Sequence, residues 1–207
     1  MHQPIRLLGA LALTLALAAC GGGDSDNTLQ TGVGGTGNVG APSTPPGPVP
    51  TPTVARQDGT GTGMTDRELA FASEVFELVN AYRQANGRSA LQWDAPTAGV
   101  SQTHTVENMQ RPGVLTHAGP PPCTIPDVCL AQRLTNGGVT FLGAGDNVAH
   151  VYLTSQQVMD AWIASPTHIA NLLDSTWTHM GVGFREGASP SNAAMTGPWW
   201  TQVFVQK

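Results

Sequence analysis

The stretch Thr176-Trp177-Thr178-His179-Met180-Gly181-Val182-Gly183-Phe184 is where this chain changes period. Thr178, Met180, Val182 and Phe184 fall on one side of an extended segment, and Trp177, His179, Gly181 and Gly183 on the other. Trp199 to Val205, beyond a loop rich in Ser, Asn and Pro, reads as its partner strand. Upstream, the spacing is helical. Thr65-Asp66-Arg67-Glu68 places a hydroxyl and a carboxylate as a capping box does. Leu69, Val75, Phe76, Leu78, Val79 and Tyr82 follow as an apolar stripe that Gly87 ends. Asp94 with Pro96 starts a second helix reaching about Gln110, before Pro112. Cys129 to Thr135 reads as a short helix closed by Gly137-Gly138. Thr154 and Gln157 repeat the capping-box spacing ahead of Val158, Met159, Ala161 and Trp162. Ser165 and Pro166 open a further helix as N-cap and N1. Helices layered on a small antiparallel sheet make an α+β domain.

Outward from this core, the composition changes. Residues 21–63 hold 12 Gly and 6 Pro in 43 positions, too little apolar surface to fold. The globular part is therefore 66–207, and 20–65 reads as a linker. Treated as a coil, this tether spans roughly 35–40 Å. Pro-Ser-Thr-Pro-Pro-Gly-Pro-Val-Pro-Thr-Pro at 42–52 makes part of it a stiffer, extended spacer. The 207 residues carry 9 bases against 14 acids, and a net charge of −5 argues against a nucleic-acid partner. No run of 18 apolar residues reads as a membrane-spanning helix.

Ahead of the linker, Arg6 precedes an apolar run from Leu7 to Ala19, the right length for a signal-peptide core. The run ends Leu17-Ala18-Ala19-Cys20, which resembles the bacterial lipobox. That resemblance implies an exported protein whose Cys20 carries the lipid anchor to a bacterial membrane. Gly21 in place of Asp implies the outer membrane where there are two. Ordinary secretion after an Ala-x-Ala-like site is the alternative. With Cys20 lipidated, Cys123 and Cys129 remain as an even pair in an exported domain, which reads as a disulfide.

Five segments in order carry a family resemblance. Leu78-Val79-Asn80-Ala81-Tyr82-Arg83 with Leu91-Gln92-Trp93-Asp94, then Thr116-His117, then Gly145-Asp146-Asn147-Val148-Ala149, resemble the CAP superfamily. This is the group of cysteine-rich secretory proteins, antigen 5 and pathogenesis-related proteins. Trp162-Ile163-Ala164-Ser165-Pro166-Thr167-His168-Ile169-Ala170-Asn171-Leu172-Leu173 is similar to its bacterial Trp-x-x-Ser-Pro-x-His segment. Gly181-Val182-Gly183-Phe184 and Trp200-Thr201-Gln202-Val203-Phe204 complete the set. The resemblance implies a three-layer α-β-α sandwich with a cavity lined by His and acidic residues that can hold a divalent metal.

Carried over residue by residue, the cavity residues are His117, Asp146 and, from the bacterial branch, His168. Ser165 and Trp199 stand where eukaryotic members have a second acid and a second His. If Asp146 to His150 is extended, Asp146, Val148 and His150 share one face, which makes His150 a fourth candidate. Imidazole and carboxylate suit zinc or a similar divalent ion, and three ligands leave an open position. Each residue also has a plain structural role: a loop cap for His117, a helix-start bond for His168, a turn for Asp146. His104 and His179 read as ordinary helix and strand residues. No H-E-x-x-H, G-x-S-x-G or P-loop occurs. Three readings remain: a non-catalytic tethered module binding lipid or envelope polymer, a metal-dependent hydrolase of envelope substrates, and a structural envelope protein.

Overall fold

The structure is a computed structural model that describes residues 56–207 apart from 112, 114, 120 and 121. The signal segment, Cys20 and the linker as far as residue 55 lie outside the described residues. The elements, in chain order, are α1 (Asp66–Ala85), β1 (Gln92–Trp93), α2 (Ala95–Gln110), α3 (Pro126–Asn136), β2 (Gly143–His150), α4 (Ser155–Ala164), α5 (Pro166–Leu173), β3 (His179–Arg185) and β4 (Trp199–Gln206). They form an α+β domain whose four strands take the order β1-β3-β4-β2.

Local chemistry sets the helix starts. Both capping boxes form: Thr65 with Glu68 opens α1, and Thr154 with Gln157 opens α4. Asp94 caps α2 by accepting from Thr97 N. The third helix starts earlier than its apolar spacing indicates, because Pro126 provides its first turn. Cys123 and Cys129 are joined as a disulfide, Cα to Cα 5.6 Å, that ties this first turn to the loop before it.

The sheet differs from a purely antiparallel one. β3 and β2 both run antiparallel to β4, but short β1 pairs parallel with β3. β1 leads through Asp94 directly into α2, and Asp94 N donates to Met180 O, so the chain enters α2 alongside β3.

Both faces of the sheet are covered. Met180, Val182, Phe184, Trp200 and Phe204 pack with Phe71, Val75 and Val79 of α1, Val158 and Trp162 of α4, and Leu172 of α5. On the other face Val203 and Val205 pack with Val100 of α2 and Leu130 and Leu134 of α3. The alternation in β3 is thus large residues toward α1 and glycines toward α2. A Cβ on Gly181 would lie 2.1 Å from Ala98 N, and one on Gly183 2.5 Å from Gln102 N. The backbones of α2 and β3 meet directly there.

Arg83 is fully buried and holds two ends of this packing together. Its Nε donates to Ser89 O, and its Nη1 to Leu172 O and Asp174 O. Asn80 donates to Leu91 O and accepts from Leu91 N. The packed body begins ahead of residue 66: Gln57 N donates to Ser73 Oγ, Trp93 Nε1 donates to Asp58 O, and Thr62 is buried.

Candidate functional site

The site forms where β2 meets the loop after α2. Asp146 lies on β2 opposite Val203, on the face that α2 and α3 cover. The Asn171 side chain of α5 donates to its backbone oxygen. His117 is carried on a loop pinned at two points. Asn108 of α2 holds Thr116 through both N–H and C=O, at 3.0 Å each. Arg133 of α3 donates to His117 O at 3.1 Å. So placed, His117 Nδ1 lies 2.9 Å from Asp146 Oδ1, with the His117 side chain about one-third exposed and that of Asp146 one-tenth.

Burial works against a charged His117, but the Asp146 hydrogen bond and charge outweigh it and hold the imidazole above its ordinary value. His168 is the third residue of α5 and lies close enough to feel the charges of both His117 and Asp146. Burial and the His117 charge push it down, so it gives up its proton at a lower pH than His117 does. Its Nδ1 is buried with no hydrogen-bond partner, and so is Asp146 Oδ2. His117 and Asp146 thus form a pair, with His168 near enough to feel both charges.

Among the described residues, no three His, Cys, Asp or Glu side chains are gathered so as to hold a metal ion. His117 turns one ring nitrogen to Asp146, and His168 approaches from α5 without joining the pair. The donor set is chemically suitable for zinc, but its arrangement does not fit.

His150 stands apart from the pair. It lies four residues beyond Asp146 on β2, roughly 13 Å along the strand. Its ring is against Trp199, centroids 3.8 Å apart, and burial pushes it down to about 4. Trp199 is fully buried there and donates its indole N–H to Gly187 O. Ser165 also departs from expectation. It occupies the N-cap position of α5 without a side-chain cap bond, and its Oγ pairs with Thr167 Oγ1 at 3.1 Å. Among the described residues, no hydroxyl or thiol is hydrogen-bonded to His117.

Three residues of the cleft wall escape a reading by motif. Glu107 of α2 accepts from His104 Nδ1 and from Arg133 Nε, both at 3.2 Å. His104, expected to be an ordinary helix residue, is buried between Glu107 and Asn108, and burial pushes it below its ordinary value. Burial pushes Glu107 up, but the His104 bond and the Arg133 charge bring it below the ordinary carboxylate range. The available sequence signals were slight: His104 and Glu107 three apart on one helix face, and a single Arg within α3.

Comparison with known proteins agrees with this architecture. The family model described as CAP, cysteine-rich secretory protein family, matches residues 76–205. The uncharacterized protein YkwD of Bacillus subtilis is 30% identical over 153 residues, covering 74% of this chain and 54% of that protein. The uncharacterized membrane protein YlbC of the same organism is 34% identical over 110 residues, covering 53% of this chain and 30% of that protein. The chain thus spans about half or less of these relatives' lengths. Among solved structures, an extracellular protein containing an SCP domain from Bacillus anthracis superposes with a TM-score of 0.56 at 28% identity. That match covers 70% of this chain and 44% of the other. An outer surface protein of Borrelia burgdorferi shares the fold, with a TM-score of 0.53 at 15% identity over 74% of this chain and 98% of that one. A resemblance carried by five short segments is therefore matched along most of the folded body, and the chain belongs to the CAP, or cysteine-rich secretory protein, family.

Proposed function

We propose that this protein is an exported CAP module, lipid-anchored through Cys20, that binds an envelope ligand in the His117–Asp146–His168 cleft without turning it over. One observation carries the reading. Asp146 Oδ2 and His168 Nδ1 are buried with no hydrogen-bond partner, on two residues near enough for the Asp146 charge to act on His168. Buried polar atoms left unsatisfied are costly, about 1–3 kcal/mol each, and native proteins keep few of them. A ligand offering polar groups to both would relieve that cost. Among the described residues no hydroxyl or thiol is bonded to His117, which favours binding over acyl transfer. The Bacillus anthracis relative is described as extracellular and the YlbC relative as a membrane protein, in keeping with export and a membrane tether. The lipobox ending at Cys20, with Gly21 after it, favours the outer membrane. Lipid or envelope polymer is the ligand class such a position offers.

Native mass spectrometry of protein gently extracted from envelopes tests this. Wild type should carry a non-protein molecule that Asp146→Asn loses. Wild type emerging bare, or Asp146→Asn retaining the molecule, sinks the ligand reading. Zinc calorimetry addresses the hydrolase alternative. No stoichiometric site is expected, and one that His117→Ala abolishes would favour the hydrolase instead.

A further inference from the structure

The cleft wall carries more positive hydrogen-bonding capacity than the protein uses. Arg133 reaches in from α3 with its side chain nine-tenths buried. Its Nε goes to Glu107 and its Nη2 to His117 O, but its Nη1 is buried and has no partner. Arg111, at the C-cap of α2, likewise has a buried Nη2 with no partner. The two guanidinium groups are near enough for Arg111 to act on the charge of Arg133, and Arg133 also feels Asp146. A guanidinium cannot shed its proton to escape burial, so its unspent N–H groups call for an acceptor. The cleft's own carboxylates do not supply one. Glu107 is shared between His104 and Arg133 Nε, and Asp146 turns Oδ1 to His117.

We infer that Arg111 and Arg133 form an anion subsite beside the His117–Asp146 pair, taking an oxyanion of the carboxylate or phosphate class. The inference deepens the ligand-binding reading and rests on it. Two N–H groups from separate arginines suit an oxyanion with two accepting oxygens, and such charge-assisted bonds are the strong ones. Asp146 Oδ2 refines the choice. It is a buried acceptor without a partner, on a residue whose charge reaches Arg133, so it opposes a bare anion and favours one with a hydroxyl or N–H next to the charged group. A hydroxy acid satisfies all three unspent atoms where a simple carboxylate satisfies two.

The test is a titration of the full chain with acetate, glycolate and inorganic phosphate, followed by NMR of the arginine side-chain N–H groups. Saturable shifts are expected, with glycolate binding more tightly than acetate. A stronger response to phosphate than to either carboxylate would assign a phosphoryl-bearing ligand, and the reverse a carboxylated one; both support the subsite. Arg111→Gln should weaken binding about ten-fold, one lost charge-assisted bond. Its melting temperature should not fall, because among the described residues the buried Arg111 Nη2 has no partner to lose and the like charge beside Arg133 is removed. Equal affinity in wild type and Arg111→Gln overturns the subsite, as does the absence of saturation in wild type. If the anions fail while envelope-extracted protein still carries its molecule, only the subsite falls. If the anions saturate in protein that emerges bare, the subsite stands and the retained-ligand reading falls.

Discussion

Burial alone pushes His150 down to about 4, so its ring is neutral wherever the domain is folded above that pH. An unfolded histidine takes a proton near 6.5. Between these values the unfolded chain binds a proton that the folded one does not, and stability falls as pH drops. His104 and His168, both pushed down by burial, add to the same acid weakness. His117 has the opposite sign: raised by Asp146, it contributes stability that is fully present below about 6.5 and is lost as pH rises through its folded value. His150→Phe keeps a ring against Trp199 and removes the titration. Its melting temperature should exceed that of wild type at pH 5, and the gap should close above pH 7. A gap of equal size at both pH values would show that protonation of His150 is not what acid exploits. His150 was legible in the sequence as a residue on the Asp146 face, but distance along the strand separates it from the pair, and spacing by twos says nothing about how far a face extends.

At the scale of elements, the glycines of β3 explain why α2 and the sheet can touch backbone to backbone. Gly181→Ala would put a methyl 2.1 Å from Ala98 N, with rigid helix on one side and a central strand on the other. Overpacking of this kind costs about 3 kcal/mol or more. The variant should show a correspondingly lower urea midpoint or fail to accumulate as folded protein. Wild-type stability in Gly181→Ala would mean that α2 can back away. The sequence showed that Gly alternates with large residues; that the gaps admit a helix backbone is a tertiary fact. Local signals fared better where they are self-contained. Thr65 with Glu68 and Thr154 with Gln157 close their boxes as read, since each needs only four residues. Ser165 does not cap, because Thr167 competes for its hydroxyl. The Cys123–Cys129 ring is another local device. Replacing both by Ser should cost about 2 kcal/mol by chain-entropy reasoning, read as a shift in the urea midpoint. No shift would mean that the loop is already held by other contacts.

At the scale of the whole molecule, the His117–Asp146 pair was legible because each residue sits in a recognisable segment, while Arg111, Arg133 and Glu107 were not. Their neighbourhoods carry no motif, and only the packing of α2 and α3 against β2 makes them one wall. Tethering should be separable from all of this. Cys20→Ser should move the protein from the membrane to the soluble fraction while leaving the melting temperature of the domain unchanged. A variant that still sediments with membranes would refute the proposed anchor. The sheet order, finally, bears on biogenesis. β4 spans 199–206, yet it lies between β3 and β2 and is buried along nearly its whole length. Neither layer of helices has a complete floor to settle on until that strand arrives. The helices that precede it in the chain must therefore wait, unpacked, for a strand made after all of them. Such non-local closure slows folding, so the chain stays loose and threadable until β4 has been made.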